Sequence, residues 1–204
     1  MAKPIRWLFA KPAVTALASD PETSRRLEHT QPFVMWGRPF DGVPPAWDAV
    51  PVIAFRSFGA IKDALESGGT PPSVKGVMYD FERWQFTPVE EQRNPAPYVK
   101  RAAELVHAHG LLFLTAPAVN IVRVMAPAQS RDRMDDTYLR LRVAADAARF
   151  ADVIDIQAQR YERDASLYAA FVHAAAKQAR QANPKVMVLA GLSTEPIGQR
   201  VSAD

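Results

Sequence analysis

The stretch "KGVMYDFERW", residues 75–84, decides how the chain folds. An apolar run, Gly-Val-Met-Tyr, leads directly into two acids, Asp80 and Glu82. Because side chains alternate across a β-strand, the even-numbered residues from Gly76 to Glu82 share one face and the odd-numbered residues share the other. The odd-numbered face is apolar and suits packing against helices. Both acids are therefore predicted to face the interior of a sheet or barrel, at the end of a buried strand.

Seven apolar runs alternate with segments of helical period along the chain. The runs are rich in Val, Ile, Leu and Phe, which fits strands that are buried on both faces. They span residues 5–10, 32–37, 51–55, 75–82, 110–117, 151–159 and 185–193. Helices are predicted over 58–69, 94–110, 134–150 and 164–183, with another between 13 and 31. This alternation indicates βαβ units and a parallel sheet.

A parallel sheet of seven strands leaves two architectures, an open doubly wound sheet and a closed barrel. No Gly-rich turn follows the first run, and such a turn is the main signature of nucleotide-binding doubly wound sheets. We therefore expect an α/β fold of the (β/α)₈ TIM-barrel type, with seven strands recognised and the eighth missing from the pattern. It is expected to form a single domain over residues 1–204.

The end of the sequence, "TEPIGQRVSAD" over 194–204, contains no apolar run for an eighth strand. A barrel left at seven strands exposes unpaired backbone on its first and last strands, which favours self-association. Two outcomes are expected. Either the chain is a shortened form of a longer protein, or the gap is filled by a partner chain or closed by direct pairing of strands one and seven.

Composition excludes several classes of function. The 204 residues are 48% hydrophobic, carry a formal net charge of +3 and include no cysteine, which excludes disulfides, thiolate metal sites and a Cys nucleophile. Basic residues are scattered, so nucleic-acid binding has little support, and no apolar run is long enough to span a membrane. No cofactor is expected. A zinc site in particular is not predicted, because His107 and His109 do not face each other on their helix. Pro4, Lys11 and Pro12 interrupt the N-terminus, so no signal peptide is predicted; the cytoplasm is the default location, and secretion stays open if a signal was removed.

The carboxyl ends of barrel strands carry further polar candidates. Active sites of parallel barrels lie at these ends. In the sixth run Asp155, Gln157 and Gln159 are predicted to point inward, and polar groups buried there need partners. Those partners are either a ligand or one another. The remaining candidates for substrate binding share a position near a strand end: Tyr161, Trp84, Arg56, Thr115 and Trp36.

The fourth run resembles the strand-four motif D-x-x-D-x-D-x-E of the chitinase and endo-β-N-acetylglucosaminidase family. Asp80 and Glu82 match its last two acids, whereas Met78 stands at the middle acid and Lys75 is nearest to the first. The resemblance implies that Glu82 is the general acid. It also implies that Asp80 steadies the substrate's own N-acetyl group, which acts as the nucleophile.

A wider pattern covers most of residues 50–204. The segments "YDFERW.FTP..EQ", "RAAELVHAHGL" and "DIQAQ" are similar to a group of uncharacterised bacterial TIM-barrel proteins related to glycoside hydrolases.

Three functional hypotheses remain open. The first is a glycosidase-like hydrolase that acts on a carbohydrate, with Glu82 as general acid and Asp80 as its partner. The second is an enzyme of small-molecule or natural-product metabolism, such as a cyclase, lyase or isomerase, that uses the same acids for proton transfer. The third is a non-catalytic binding barrel. Against all three stands the structural interpretation that the acids bond rim arginines such as Arg56.

Overall fold

The structure, a computed structural model, describes residues 5–35, 42–128 and 133–193. Its strands form one parallel sheet in the order β1-β2-β3-β4-β5-β6-β7. Six strands lie within their predicted runs and are shorter than them, and β3 begins one residue before its predicted run, so the seven predicted strands are confirmed. They are β1 (Leu8–Ala10), β2 (Phe33–Met35), β3 (Val50–Phe55), β4 (Gly76–Tyr79), β5 (Leu112–Thr115), β6 (Val153–Ile156) and β7 (Met187–Ala190).

Helices surround this sheet. Those in the described part of the chain are α1 (Lys11–Ser19), α2 (Pro21–Arg26), α3 (Phe58–Glu66), α4 (Val89–Arg93), α5 (Pro95–Ala108), α6 (Val122–Met125), α7 (Met134–Arg140), α8 (Val143–Ala148) and α9 (Ala165–Ala182). The single helix expected over 134–150 is divided in two, because Arg142 adopts a left-handed conformation with φ of 56°. The short helices α4 and α6 have no counterpart in the sequence prediction, since a helix of one turn leaves almost no periodic pattern.

The two faces of the sheet bury separate apolar clusters. Met78 packs with Val52, Leu114 and Val153 in a cluster inside the sheet. Tyr79 and Phe81 belong to a larger cluster with helix residues on the outside. The predicted alternation along β4 is therefore confirmed, and the sheet curves into a nearly closed, barrel-like form. The fold is an incomplete TIM-like barrel.

Closure stops between the first and the last strand. Within the described ranges β1 pairs with β2 alone and β7 with β6 alone. The alternative that β1 and β7 pair directly is therefore wrong for this structure.

Aspartate side chains cap the starts of α2 and α9. Asp164 accepts a hydrogen bond from the Leu167 N–H at 2.9 Å and caps α9, and Asp20 caps α2 through the Thr23 N–H at 2.9 Å. Asn94 precedes α5, but its side chain makes no capping bond. Pro95 at the first helical position lacks an N–H, so one of the donors that a cap would satisfy is absent.

Candidate functional site

Asp80 extends β4 by one residue into the carboxyl end of the barrel. Its N–H donates to the Phe55 carbonyl at 2.8 Å, so the ladder with β3 continues through it. Strand alternation puts its side chain on the same face as Met78, which lies inside the barrel. The predicted inward position of Asp80 is therefore what the structure has.

The Asp80 carboxyl has one direct amide partner. Gln157 Nε2 donates to Asp80 Oδ1 at 2.9 Å and to the Ala116 carbonyl at 3.0 Å. Burial, followed by the neighbouring Glu82 charge, raises the pKa of Asp80 to about 6, although the Gln157 bond and the Arg56 charge oppose this change. A carboxyl with such a pKa exchanges a proton close to neutral pH.

Asp155 is a second inward carboxyl in the same region. Tyr79 and Ile154 both pair with Thr115, so the next residues, Asp80 and Asp155, lie on either side of β5 at the same level. Burial and then the Asp80 charge raise the pKa of Asp155 to about 6. The charge of Asp80 thus disfavours the ionisation of Asp155. Sequence analysis put Asp155 on the inward face but did not select it as a site residue.

Glu82 lies beyond the end of β4 and is partly buried. Asn120 Nδ2 donates to Glu82 Oε2 at 3.2 Å, and Asn120 Oδ1 accepts from the Arg83 N–H at 2.9 Å. Asn120, in the turn after β5, therefore fixes both the carboxylate and the backbone that follows it. Sequence reasoning missed Asn120, because the function of a single amide in a loop depends on a contact 38 residues away in the chain.

The segment after Glu82 is held by buried polar side chains. The Thr87 hydroxyl donates to the Arg56 carbonyl at 2.7 Å, and Gln92 Nε2 donates to the carbonyls of Trp84 and Thr87 at 2.7 and 2.5 Å. Glu91, 4% exposed, accepts from the Tyr79 hydroxyl and from the Phe58 N–H at the start of α3.

Most of the polar residues in the "YDFERW.FTP..EQ" pattern have a structural role in these contacts. Its Tyr, Thr, Glu and Gln members hold the loop that follows β4. Asp80 and Glu82 are the acids of the pattern outside these contacts, and they are close enough for the Glu82 charge to raise the pKa of Asp80.

Arg56 and Trp84 pack against each other. The Arg56 guanidinium carbon lies 4.7 Å from the ring centroid of Trp84 and 4.7 Å from that of Phe86. Trp84 Nε1 also donates to the Thr87 hydroxyl at 2.8 Å. One face of Trp84 is therefore covered by a cation, and Arg56 acts on Asp80 through its charge, without an ion pair between them among the described contacts.

Two other predicted binding residues lie away from this group. Thr115 is fully buried, shares the outer side of β5 with Phe113, and donates to the Tyr79 carbonyl at 3.3 Å. Tyr161 packs on Phe171 at 5.1 Å between ring centroids, in the helix layer. Strand alternation explains the placement of Thr115, which lies one position out of step with the inward residue Leu114. Tyr161 lies in the short turn Gln159–Tyr161 after β6, where the alternation of a strand no longer applies. The structure therefore gives no support to Thr115 or Tyr161 as ligand contacts.

Gln159 and Trp36 complete the predicted set. Gln159 begins a short turn after β6 and lies against Gly191, where a Cβ atom would overlap the Gln159 side chain. It lines a cleft between β7 and β1, and Asp155 lines the same cleft. Trp36 lies outside the described residues.

Two features are absent from residues 5–35, 42–128 and 133–193. They contain no group of three or more His, Asp or Glu side chains arranged to hold a metal ion. No helix within them has the length and the hydrophobicity that crossing a membrane requires.

Comparison with known proteins gave no match to a family model, to a curated protein or to a solved structure.

Proposed function

We propose that this chain is a glycosidase-like barrel enzyme in which Glu82 acts as general acid and Asp80 as its partner on a carbohydrate. The observation that carries the proposal is the raised pKa of Asp80, caused by burial and by Glu82, at the carboxyl end of a parallel barrel. Titratable groups with perturbed pKa values concentrate at functional sites, and barrel active sites lie at this end.

Each acid has a role that its surroundings suit. Glu82 keeps part of its surface exposed and is oriented by Asn120, so in the proposed step it first takes up a proton and then delivers it to a leaving oxygen. Asp80 is also partly buried, and Gln157 holds it in place. That arrangement suits a group that steadies the substrate's own N-acetyl group, as the family resemblance implies.

A second candidate is proton transfer on a small molecule that is not a sugar. Two observations favour it. Arg56 covers a face of Trp84 on which a sugar ring would stack. Asp155 adds a second carboxyl with a raised pKa next to Asp80, above an apolar interior that includes Met78. Two carboxyls that share a proton can act as donor and acceptor in one step.

The test is hydrolysis of aryl glycosides, beginning with aryl N-acetylglucosaminides and continuing with other aryl hexosides. Wild-type protein, Glu82→Gln and Glu90→Gln are compared, because Glu90 is an exposed acid on α4 outside the site. We expect turnover by the wild type and by Glu90→Gln, and a loss on the order of a hundred- to ten-thousand-fold for Glu82→Gln. Circular dichroism checks that each variant folds.

Three results would count against the proposal. Turnover by Glu82→Gln within about threefold of the wild type would remove its role as general acid. Turnover of non-sugar esters or enolisable ketones alone would favour the second candidate. Saturable binding of an N-acetylglucosamine oligomer without turnover would favour a binding barrel.

A further inference from the structure

Three arginines follow three neighbouring strands at the carboxyl end of the barrel. Arg56 comes directly after β3, Arg83 lies in the segment after β4, and Arg123 lies on α6 after β5. Because these strands are neighbours in the sheet, the segments that leave their ends lie side by side. Each of the three segments around Glu82 therefore carries one cation.

Hydrogen bonds connect all three segments at Glu82. The Thr87 hydroxyl accepts from the Glu82 N–H at 3.4 Å and donates to the Arg56 carbonyl at 2.7 Å. Asn120 donates to the Glu82 carboxylate at 3.2 Å and accepts from the Arg83 N–H at 2.9 Å. Glu82 therefore lies between the segment after β3 and the segment after β5.

Helical period puts Arg123 on the same face as Asn120. The turn after β5 and α6 form one continuous helical segment, in which residues three apart share a face. Val119 and Val122 are buried in the larger apolar cluster outside the sheet, so Asn120 and Arg123, each one position later, share a different face. Because Asn120 bonds to Glu82, Arg123 lies on the Glu82 side of this segment.

Neither Arg83 nor Arg123 has a carboxylate partner in the described part of the chain. Ion pairs within residues 5–35, 42–128 and 133–193 involve other cations, among them Arg26, Arg133 and Arg149. Arg123 is half-buried, and its Nε atom is shielded from water without a hydrogen-bond partner in the same ranges. Buried donors in folded proteins are normally bonded, so this donor lacks an acceptor that an anionic ligand would supply.

The charges in this part of the rim favour an anion. The segments between β3 and α3, between β4 and α4, and from β5 to the end of α6 contain three arginines and two acids, Asp80 and Glu82. When Glu82 holds a proton, as a general acid does before its step, at most one carboxylate remains against three cations. Guanidinium groups bind two oxygens of a carboxylate or a sulfate at once, which makes arginine well suited to such ligands.

We propose that Arg83 and Arg123 form an oxyanion subsite beside Glu82, and that the sugar on which Glu82 acts carries a carboxylate or a sulfate ester. Arg123 donates from its unsatisfied Nε to the oxyanion, Arg83 binds it from the segment after β4, and Arg56 adds attraction through its charge. The identification of the ligand as a sugar rests on the proposed function, whereas the oxyanion subsite itself does not.

Equilibrium binding of aryl thioglycosides tests the subsite independently of turnover, because a sulfur-linked glycoside resists hydrolysis. The probes are an aryl 1-thio-β-glucoside, the matching thioglucuronide with a carboxylate at its sixth carbon, and the matching thioglucoside with a sulfate ester there. Isothermal titration calorimetry gives the dissociation constants for the wild type, Arg83→Gln, Arg123→Gln and Arg25→Gln. Arg25 is the matched control, because it is exposed in the last turn of α2, from which the chain runs to the start of β2.

We expect the wild type to bind one anionic probe at least about tenfold more tightly than the neutral probe, and the preferred probe identifies the oxyanion. Arg123→Gln should weaken that binding roughly ten- to a hundredfold, the equivalent of one hydrogen bond to a charged group. Arg83→Gln should weaken it less, because the side chain is exposed. Arg25→Gln should match the wild type, and added salt should weaken binding of the anionic probe alone.

Equal binding of the neutral and anionic probes would overturn the proposal. No saturable binding of either anionic probe, or a preference for the anion that Arg123→Gln leaves intact, would overturn it as well. Circular dichroism checks that each variant folds. If Arg123→Gln does not fold, Arg123→Lys takes its place and should still weaken binding, because the ammonium group lacks the Nε donor and the planar fork of arginine.

Failure of the subsite and failure of the proposed function give different results. Binding of an anionic thioglycoside without hydrolysis of any aryl glycoside would support the subsite and contradict the enzymatic proposal. Hydrolysis of neutral aryl glycosides without a preference for an anionic probe would support the enzymatic proposal and contradict the subsite.

Discussion

Gln157 on the rim after β6 donates its side-chain amide to Asp80 at the end of β4, at 2.9 Å. The two strands are not neighbours, and the same amide reaches the Ala116 carbonyl that lies between them at 3.0 Å. Gln157 therefore ties three consecutive strands together at the carboxyl end. Because the bond stabilises the ionised carboxylate, it opposes the effect of burial on Asp80.

Replacing Gln157 should raise the pKa of Asp80 further. Gln157→Ala removes a hydrogen bond that favours the charged form, so the carboxyl should titrate above the value of about 6 in the wild type. Carboxyl ¹³C NMR measures this directly. Gln159→Ala is the control. It removes the same kind of amide, but one that lies against Gly191, so the pKa of Asp80 should not change. A lower Asp80 pKa in Gln157→Ala would contradict the assignment.

Stability should fall as the pH rises through the window set by Asp155. Its ordinary pKa of 3.8 is raised to about 6 in the folded chain. Between these values the folded state holds a proton that the unfolded state has lost, so the free energy of unfolding falls as the pH rises. Asp155→Asn lacks this proton. Relative to the wild type it should become more stable on going from pH 4 to pH 7, on the order of 1–3 kcal/mol.

Urea unfolding at several pH values measures this difference. Asp63→Asn, an exposed position on α3, is the control and should follow the wild type. If the wild type instead became more stable relative to Asp155→Asn between pH 4 and pH 7, a raised pKa of Asp155 would be contradicted.

The inward face of β4 followed from period alone, because a two-residue alternation between Gly76 and Glu82 determines which side chains meet the helices. The parallel sheet followed from the alternation of apolar runs with helical segments, and the barrel from the lack of a Gly-rich turn after the first run. The two-residue alternation would also have excluded Thr115, since Phe113 two residues earlier is an apolar helix-facing residue. The position of Thr115 on the outer side of β5 therefore does not support the expectation that it contacts a ligand.

Other parts of the site depend on contacts that no local pattern encodes. Asn120 meets Glu82 because a turn after β5 returns over the end of β4. The pairing of Asp80 with Asp155 depends on the register of β4 with β5 and of β5 with β6. Register is set by packing across the whole sheet, so it becomes visible only in the folded structure.

Gly76 should not tolerate a side chain. A Cβ atom there would lie 2.8 Å from Leu114 Cδ1 and 3.4 Å from the Leu112 carbonyl oxygen, inside the barrel. Gly76→Ala should therefore lower the free energy of unfolding by about 1–3 kcal/mol through overpacking.

Gly59 on α3 is the control for this substitution, because a Cβ atom there meets nothing within 4 Å. Gly59→Ala should be neutral or should stabilise the chain by up to about 1 kcal/mol. Denaturant unfolding measures the free energy of unfolding of Gly76→Ala and Gly59→Ala. Equal stability of Gly76→Ala and the wild type would mean that the interior is looser than described.

The buried carboxylate of Glu91 should be important for stability. It accepts from the Tyr79 hydroxyl and, at 2.9 Å, from the Phe58 N–H. Glu91→Ala leaves both donors without their acceptor, and each such loss costs about 1–3 kcal/mol. Glu90→Ala, on the exposed side of the same helix, should change stability by less than about 0.5 kcal/mol. Thermal unfolding compares the two, and similar melting temperatures would contradict a structural role for Glu91.

The most direct test of the proposed acid pair is the titration of the Asp80 carboxyl by ¹³C NMR in the wild type and in Glu82→Gln. The wild type should titrate near pH 6, because burial and the Glu82 charge both raise the pKa of Asp80. Removing that charge should lower the pKa, while burial keeps it above 3.8. A wild-type pKa near 3.8, or the same value in both proteins, would contradict the coupling of Asp80 to Glu82 on which the proposed chemistry rests.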